Sequence, residues 1–544
     1  MTKSSRHPQS IERIALVVLL TLIAWYWLSV LNRFDLWEDE YCTWFHASML
    51  TRGPFLDLVR LDSSPPLYYA LIGVLIELAG SSEWTLRVPS VLASIVNLLL
   101  IFGITRSLAG RLAGWSAFLL LALHPLNHLY ALEARTYPLL LMMCLLQIRY
   151  LTDDVHGDDG LALLGLGSVT LIGCYLHFFG VLMLAASAAG VVLSVRSPRS
   201  KIRFLLSIGI AGSLFLPYVA WVFPTMFHQG GNWILVPWFV AHPAESSIPR
   251  VIEMLLESIN YNDQLRSLGV HHITYFITVP AVIGQCILFL FALLPLKSES
   301  SRSITPLFCF WPGIPITARL LSARNHPFFL PGRHDFLALG ALLIILGIGL
   351  SRFVEWIRRR APVCRATGWV ILAVICASIM MGSGLRLYLV EQLQENHLDL
   401  KSAQYLASHV DPNDRVYAMG IRRITVEYHL AEMGHIVSIR SFPGSTDSHP
   451  GWSDDLALLK RLDALKEEGR AIAEELDHAT GVQTVWVLAR QYDRNGSSVS
   501  VEWIIDHAFL HALEEHGWLR RNENTDQDLC IREYRRPDEP MRSY

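Results

Sequence analysis

Asp39 and Glu40 stand side by side in FDLWEDEYCTW (Phe34–Trp44), where they and two further acids, Asp35 and Glu38, follow directly on a long apolar run. Trp37, Tyr41 and Trp44 are interleaved with them. A solvated loop after a helix would account for the charge but not for the aromatics. Trp and Tyr collect at the level of a membrane interface, where a carboxylate is poorly solvated and can be held as a positioned base.

Three further stretches carry residues able to do chemistry. In YALEARTYP (Tyr130–Pro138), Glu133 and Arg135 form at the least a local ion pair, worth at most about 1 kcal/mol if exposed. The sharper reading has Arg135 gripping a phosphate, with Glu133 and Tyr137 beside it. In CYLHFFG, His177 lies where the chain turns straight back, as an interface histidine or as an acid, base or ligand. In HPFFLPGRHDFLALG, Arg333 sits between Pro331 and Asp335 at the end of an apolar run. There it either snorkels or binds an anion. The segment 224–272, with HQGGNWILVPWF, offers aromatic, Gly-rich loop material that fits a lipid or a sugar. Asn495-Gly-Ser matches a glycosylation sequon, a pattern common by chance.

The elements that must position these residues are mostly membrane spans. The 544 residues are 52% hydrophobic and only 17% charged, against roughly 25% charged in soluble domains. A net charge of −3 argues against a nucleic-acid partner. The eight cysteines are scattered, several inside apolar runs and none in a CxxC pair, so they read as small buried hydrophobes. The apolar run Ile14–Leu31 lacks a small-residue cleavage site after it and reads as a retained first helix. Eleven spans are expected: 14–32, 87–105, 112–130, 136–151, 161–177, 179–195, 204–223, 273–296, 304–321, 335–351 and 368–389.

PPLYYALIGVLIELAG (65–80) is apolar but short, and reads as an interfacial helix within a first outer loop, 33–86. The positive-inside rule decides this. With 65–80 not crossing and the N-terminus cytoplasmic, the basic N-tail, the Arg106–Arg111 turn, 196–203, 297–303 and 351–365 all fall inside. The acidic cluster, the Glu133–Tyr137 turn, His177 and Arg333 then face outside. So does everything after 389: residues 390–544 read as a soluble α/β domain, with strands at 414–421 and 483–490 and a helix over 453–476 opened by Ser453. The fold class is thus mainly α, a polytopic membrane domain (1–389) followed by an extracytoplasmic α/β domain.

Taken in order, LWEDEYCTW, SSPPLYYALIGVLIELAGSSEWTLRVPSVLAS with Asp62 immediately before it, YALEARTYPLLL, YLHFFG and LPGRHDFLALG resemble the membrane glycosyltransferases with the GT-C fold. The nearest likeness is to the bacterial branch similar to protein O-mannosyltransferases and the lipid A aminoarabinose transferase. The resemblance runs over about 14–350, and PPLYY followed by E..LR.PS is its most specific part. It implies transfer of a sugar from a polyprenyl-phosphate carrier to a protein, lipid A or glycan acceptor at the outer face of the bacterial inner membrane. It also implies Asp39 as catalytic base with Glu40 beside it, and Glu133, Arg135, Tyr137, His177 and Arg333 as the donor and phosphate site. Metal use is left open; Asp39, Glu133 and His177 are the groups that would hold a divalent ion. Two positions depart from the pattern: Ser64 stands where relatives carry His or Lys before the two prolines, and His334 where they carry Tyr.

A lipid-sugar flippase would instead place ionisable groups near the midplane of several spans. An oligosaccharide polymerase or ligase would lack the Asp-Glu pair followed by PPLYY. An inactive scaffold of the same fold would have no need of Asp39, Glu133 and Arg333.

Overall fold

The computed structural model describes residues 7–33, 35–62, 64–152, 160–194, 197–228, 283–294, 304–321, 336–362, 365–374, 376–377, 398–447, 458–489, 501–521 and 529–536. Arg333, His334, Asn495 and nearly all of 224–272 lie outside them, as does the expected domain boundary at 389.

The first helix, α1 (His7–Val30), is followed by α2 (Glu38–Arg52), α3 (Phe55–Leu61), α4 (Pro66–Ala79) and α5 (Glu83–Ala122). α5 is broken at Ala109-Gly110, where Gly110 takes φ +86°, a conformation open chiefly to glycine. The break falls in the expected basic turn. Arg106 and Arg111, either side of it, both pair with Glu12 of α1, at 3.0 and 3.2 Å. At the other end, Arg87 of α5 donates from Nη1 to Leu31 O, just past α1, at 2.6 Å. The segment 33–82 therefore leaves and returns at one end of the bundle.

That segment is not a loop with one helix but three packed helices. α2 has its acids in the first turn, where they complement the helix dipole, and Asp39 to Ser48 are all buried. α4 lies against it, with Gly73 so close that a Cβ there would sit 2.7 Å from Ala47 O. Tyr68, Tyr69, Ile72 and Ile76 face inward, while Val74 and Leu78 are exposed, as an interfacial helix requires.

After α5 the chain makes α6 (Pro125–Ala131), α7 (Tyr137–Thr152), α8 (Gly160–Leu176), α9 (Gly180–Leu193) and α10 (Pro198–His228). The apolar helices α11 (Ile283–Leu293), α12 (Thr305–Phe310), α13 (Gly313–Leu321), α14 (Phe336–Arg358) and α15 (Arg365–Val374) follow. α14 is buried almost throughout and packs on α5 and α7, forming the centre of the bundle. Among the described residues, four helical stretches are long and apolar enough to cross a membrane: Ser10–Val30, Glu83–Ala122, Pro198–Pro224 and Phe336–Arg358. Two expected spans are interrupted. The one at 112–130 stops at Ala122, and His124 caps α6 by accepting Leu126 N–H at Nδ1. The one at 304–321 is split into α12 and α13 around Trp311-Pro312, since a proline cannot donate to the helix ladder.

The C-terminal part is α/β, as expected. α16 (Leu398–His409), β1 (Arg415–Met419), α17 (Arg422–Glu432), β2 (Ile439–Phe442), α18 (Leu462–His478), β3 (Thr484–Leu488), α19 (Val501–Glu515), β4 (Leu519–Arg520) and β5 (Ile531–Arg535) build a sheet of order β2-β1-β3-β5-β4. β1 runs parallel to β2 and β3, and β5 antiparallel to β3 and β4. The helix expected over 453–476 is shorter: residues 453–457 lie outside the described part, and a turn at Lys460-Arg461 precedes α18. α17 reaches from its own sheet to the bundle: Ile424 and Tyr428 belong to the same apolar cluster as α2, α5 and α14.

Candidate active site

α2 turns successive side chains by about 100°, so Asp39, Glu40 and Tyr41 point in three directions. Glu40 points at α5. Its carboxylate accepts Arg87 Nε on Oε1 and Arg87 Nη2 on Oε2, both at 2.8 Å. It also accepts Ala134 N–H at 2.6 Å and Trp37 N–H at 3.2 Å. With four N–H donors on a carboxylate only 1% exposed, Glu40 ties α2 to α5 and to the 132–136 turn.

Asp39 points across to that turn. Its Oδ2 lies 3.3 Å from Arg135 Nη2, and Arg135 Nη1 also donates to Asp39 O at 3.3 Å. The guanidinium lies 5.5 Å from the Tyr137 ring centroid. Ser90 of α5 donates to Arg135 O, and Arg135 N–H is turned onto Glu133 O, which fixes the backbone beneath the pair. Glu133 is itself buried in this turn.

His177 lies in the turn between α8 and α9, its ring 6.1 Å from that of Tyr137. Phe179 N–H donates to its Nδ1 at 3.1 Å, so the neutral ring carries its proton on Nε2. Burial first, then Arg135, pushes its pKa down to about 4, with Asp62 opposing. His177 is thus a neutral hydrogen-bond donor. Asp39, Arg135, Tyr137, Glu133 and His177, read separately from the sequence, meet at one end of the bundle. Arg333 lies outside the described residues.

Two residues without an assigned role belong here as well. Asp62 accepts the Tyr69 hydroxyl at 2.5 Å, and its charge reaches both His177 and Cys42. Its signal was its place directly before SSPPLYY, seven residues ahead of Tyr69. Arg87 stands in E..LR.PS, and a charge inside an expected span was its signal. Cys42 is no nucleophile: burial, then Asp39 and Asp62, push its thiol well up, so it keeps its proton.

The groups expected to hold a divalent ion do not make a metal site. Asp39 is engaged by Arg135, and His177 uses Nδ1 on Phe179 and carries hydrogen on Nε2. Among the described residues, no three His, Cys, Asp or Glu side chains are grouped to hold a metal ion.

Residues 63–221 match the family model described as dolichyl-phosphate-mannose-protein mannosyltransferase. Among solved structures, the chain is similar to ArnT from Cupriavidus metallidurans bound to undecaprenyl phosphate, with TM-score 0.57 and 12% identity over 95% of this chain and 97% of that one. The same protein in the apo state gives TM-score 0.54 and 13% identity, over 88% of this chain and 93% of the other. The arabinofuranosyltransferase AftD from Mycobacteria gives TM-score 0.51 and 15% identity, over 96% of this chain but 40% of AftD. No curated protein sequence matches the chain significantly. At these identities the shared property is the fold, and the expected likeness to the aminoarabinose transferase is borne out at that level. The chain is a multi-pass membrane protein with that fold.

Proposed function

We propose that this protein is a glycosyltransferase, moving a sugar from a polyprenyl-phosphate carrier to an acceptor hydroxyl at the outer face of the bacterial inner membrane. The observation that carries the reading is the Asp39–Arg135 pair at 3.3 Å, a carboxylate and a guanidinium held side by side and largely out of water. Transfer needs both. Asp39 takes the acceptor's O–H proton as its oxygen attacks the anomeric carbon. The bond from that carbon to the phosphate oxygen breaks, and the carrier phosphate leaves with the electron pair, its growing charge opposite Arg135. A single displacement inverts the anomeric centre. His177 donates from Nε2 to a phosphate or sugar oxygen, and Tyr137 holds the guanidinium in place. Arg333 as a second phosphate contact rests on the resemblance alone.

Glu40, in this reading, positions rather than reacts, since both its oxygens are engaged by Arg87 and the backbone. The interfacial helix α4, with Val74 and Leu78 exposed, suits a carrier chain lying at the bilayer edge. The fold match to a structure bound to undecaprenyl phosphate supports the same carrier class. The acceptor is a protein, lipid A or a glycan; the sugar is a hexose or a pentose.

The test is purified protein in nanodiscs offered a panel of radiolabelled polyprenyl-phosphate sugars. Release of carrier phosphate with one of them is the expected result. Folded protein that binds a donor and releases nothing overturns the reading in favour of a flippase or an inactive scaffold.

A further inference from the structure

The helix that carries Asp39 is also held from the side opposite Arg87, by the C-terminal domain. Two residues after Asp39, the Tyr41 hydroxyl lies 2.8 Å from His429 Nε2 on α17, with both side chains buried. The rings of Tyr428 and Tyr41 meet edge to face at 5.6 Å, and those of Tyr428 and Trp44 at 5.3 Å. Arg423 lies 5.9 Å over the ring of Phe45. Three residues of α17 therefore meet three residues of α2's first two turns. Within the same turns, Arg87 holds Glu40.

From these contacts we infer that His429, with Tyr428, is a positioning element for the site: α17 and Arg87 clamp α2 from two sides and so set Asp39 against Arg135. The inference rests on the proposed transfer reaction for its effect on rate, but the clamp itself is a property of the fold. A helix this short is marginal on its own, so the direction of its second residue is decided by what holds its sides. A displacement of the base by about 1 Å costs on the order of a hundredfold in rate. The C-terminal domain thus acts on the chemistry without touching substrate.

The experiment uses the full chain in nanodiscs and three variants: His429→Ala, Tyr41→Phe and His429→Gln, whose amide nitrogen can reach the Tyr41 oxygen. Hydrogen exchange is read first, because it does not depend on turnover. His429→Ala and Tyr41→Phe should each speed exchange of the α2 amides roughly fivefold, the loss of about one buried hydrogen bond. The 132–136 turn should loosen with them, α7 should be unchanged, and His429→Gln should recover most of the protection. With a donor that wild type turns over, kcat should fall about tenfold in His429→Ala with donor KM unchanged. Adding Tyr41→Phe should lower it no further. Unchanged exchange in α2 and the 132–136 turn overturns the clamp. Faster exchange with unchanged kcat overturns positioning and leaves a purely structural contact. If wild type turns over no donor, the transfer reading fails by itself, and the exchange result still decides the clamp.

Discussion

Arg87 and Glu40, 47 residues apart in the chain, form a two-point ion pair shut off from water, with side chains 3% and 1% exposed. Removing one partner of such a pair strands the other charge in a low-dielectric interior, which is worse than losing both. Arg87→Ala or Glu40→Ala should therefore destabilise the protein by about 3–5 kcal/mol. The check is thermal unfolding in detergent. A change in melting temperature no larger than that of an exposed-site control would show that the pair does not hold α2.

Close approach of α2 and α4 depends on a missing side chain. A Cβ on Gly73 would meet Ala47 O at 2.7 Å and Leu50 Cβ at 2.9 Å, backbone and stem atoms that cannot swing away. Gly73→Ala should cost about 1–3 kcal/mol by overpacking and lower turnover as α2 is pushed aside. Unfolding and activity assays on one preparation report both effects.

Burial and Arg135 hold the His177 pKa at about 4, below its ordinary 6.5. The sign follows from linkage: the folded state binds this proton more weakly than the unfolded state, so stability is lost as pH falls from 6.5 through about 4. His177 stays neutral at neutral pH. The activity profile between pH 5 and 8 should carry no inflection that His177→Gln removes, whereas the loss of melting temperature below pH 6 should be smaller in that variant.

Glu432, at the end of α17, behaves in the opposite way. Burial, then the Glu83 carboxylate on α5, raise its pKa from 4.5 to about 7, with Asp35 adding to the effect. A raised folded pKa gives stability that is full below 4.5 and lost as pH rises through about 7. The contact between α17 and the bundle should weaken from pH 6 to pH 8. Limited proteolysis of the C-terminal domain should quicken over that range in wild type and stay level in Glu432→Gln.

Much of this site was legible because local sequence carries it. Acids and aromatics after an apolar run marked Asp39, and acid and base two residues apart at a helix turn marked Glu133 and Arg135. The charge pattern kept 65–80 on one side, and the Arg87–Leu31 contact explains why 33–82 returns to the end it left. Partners distant in sequence were another matter. Glu40 looked like a second catalytic acid because Arg87, which engages it, is 47 residues away. The Tyr41–His429 bond spans 388 residues, and no periodicity reports such a pairing. The breaks at Leu123-His124 and Trp311-Pro312 were hidden by apolar runs that hydropathy reads as continuous.

The central claim is that Asp39 does the chemistry and its neighbour Glu40 only holds the helix. Its most direct test is turnover of a polyprenyl-phosphate sugar by Asp39→Asn beside wild type, in nanodiscs, with donor binding and melting temperature measured on the same samples. The account predicts a fall in kcat of about a hundredfold or more, with donor affinity and melting temperature close to wild type. Wild-type turnover in Asp39→Asn would contradict it and move the base to another carboxylate of the site.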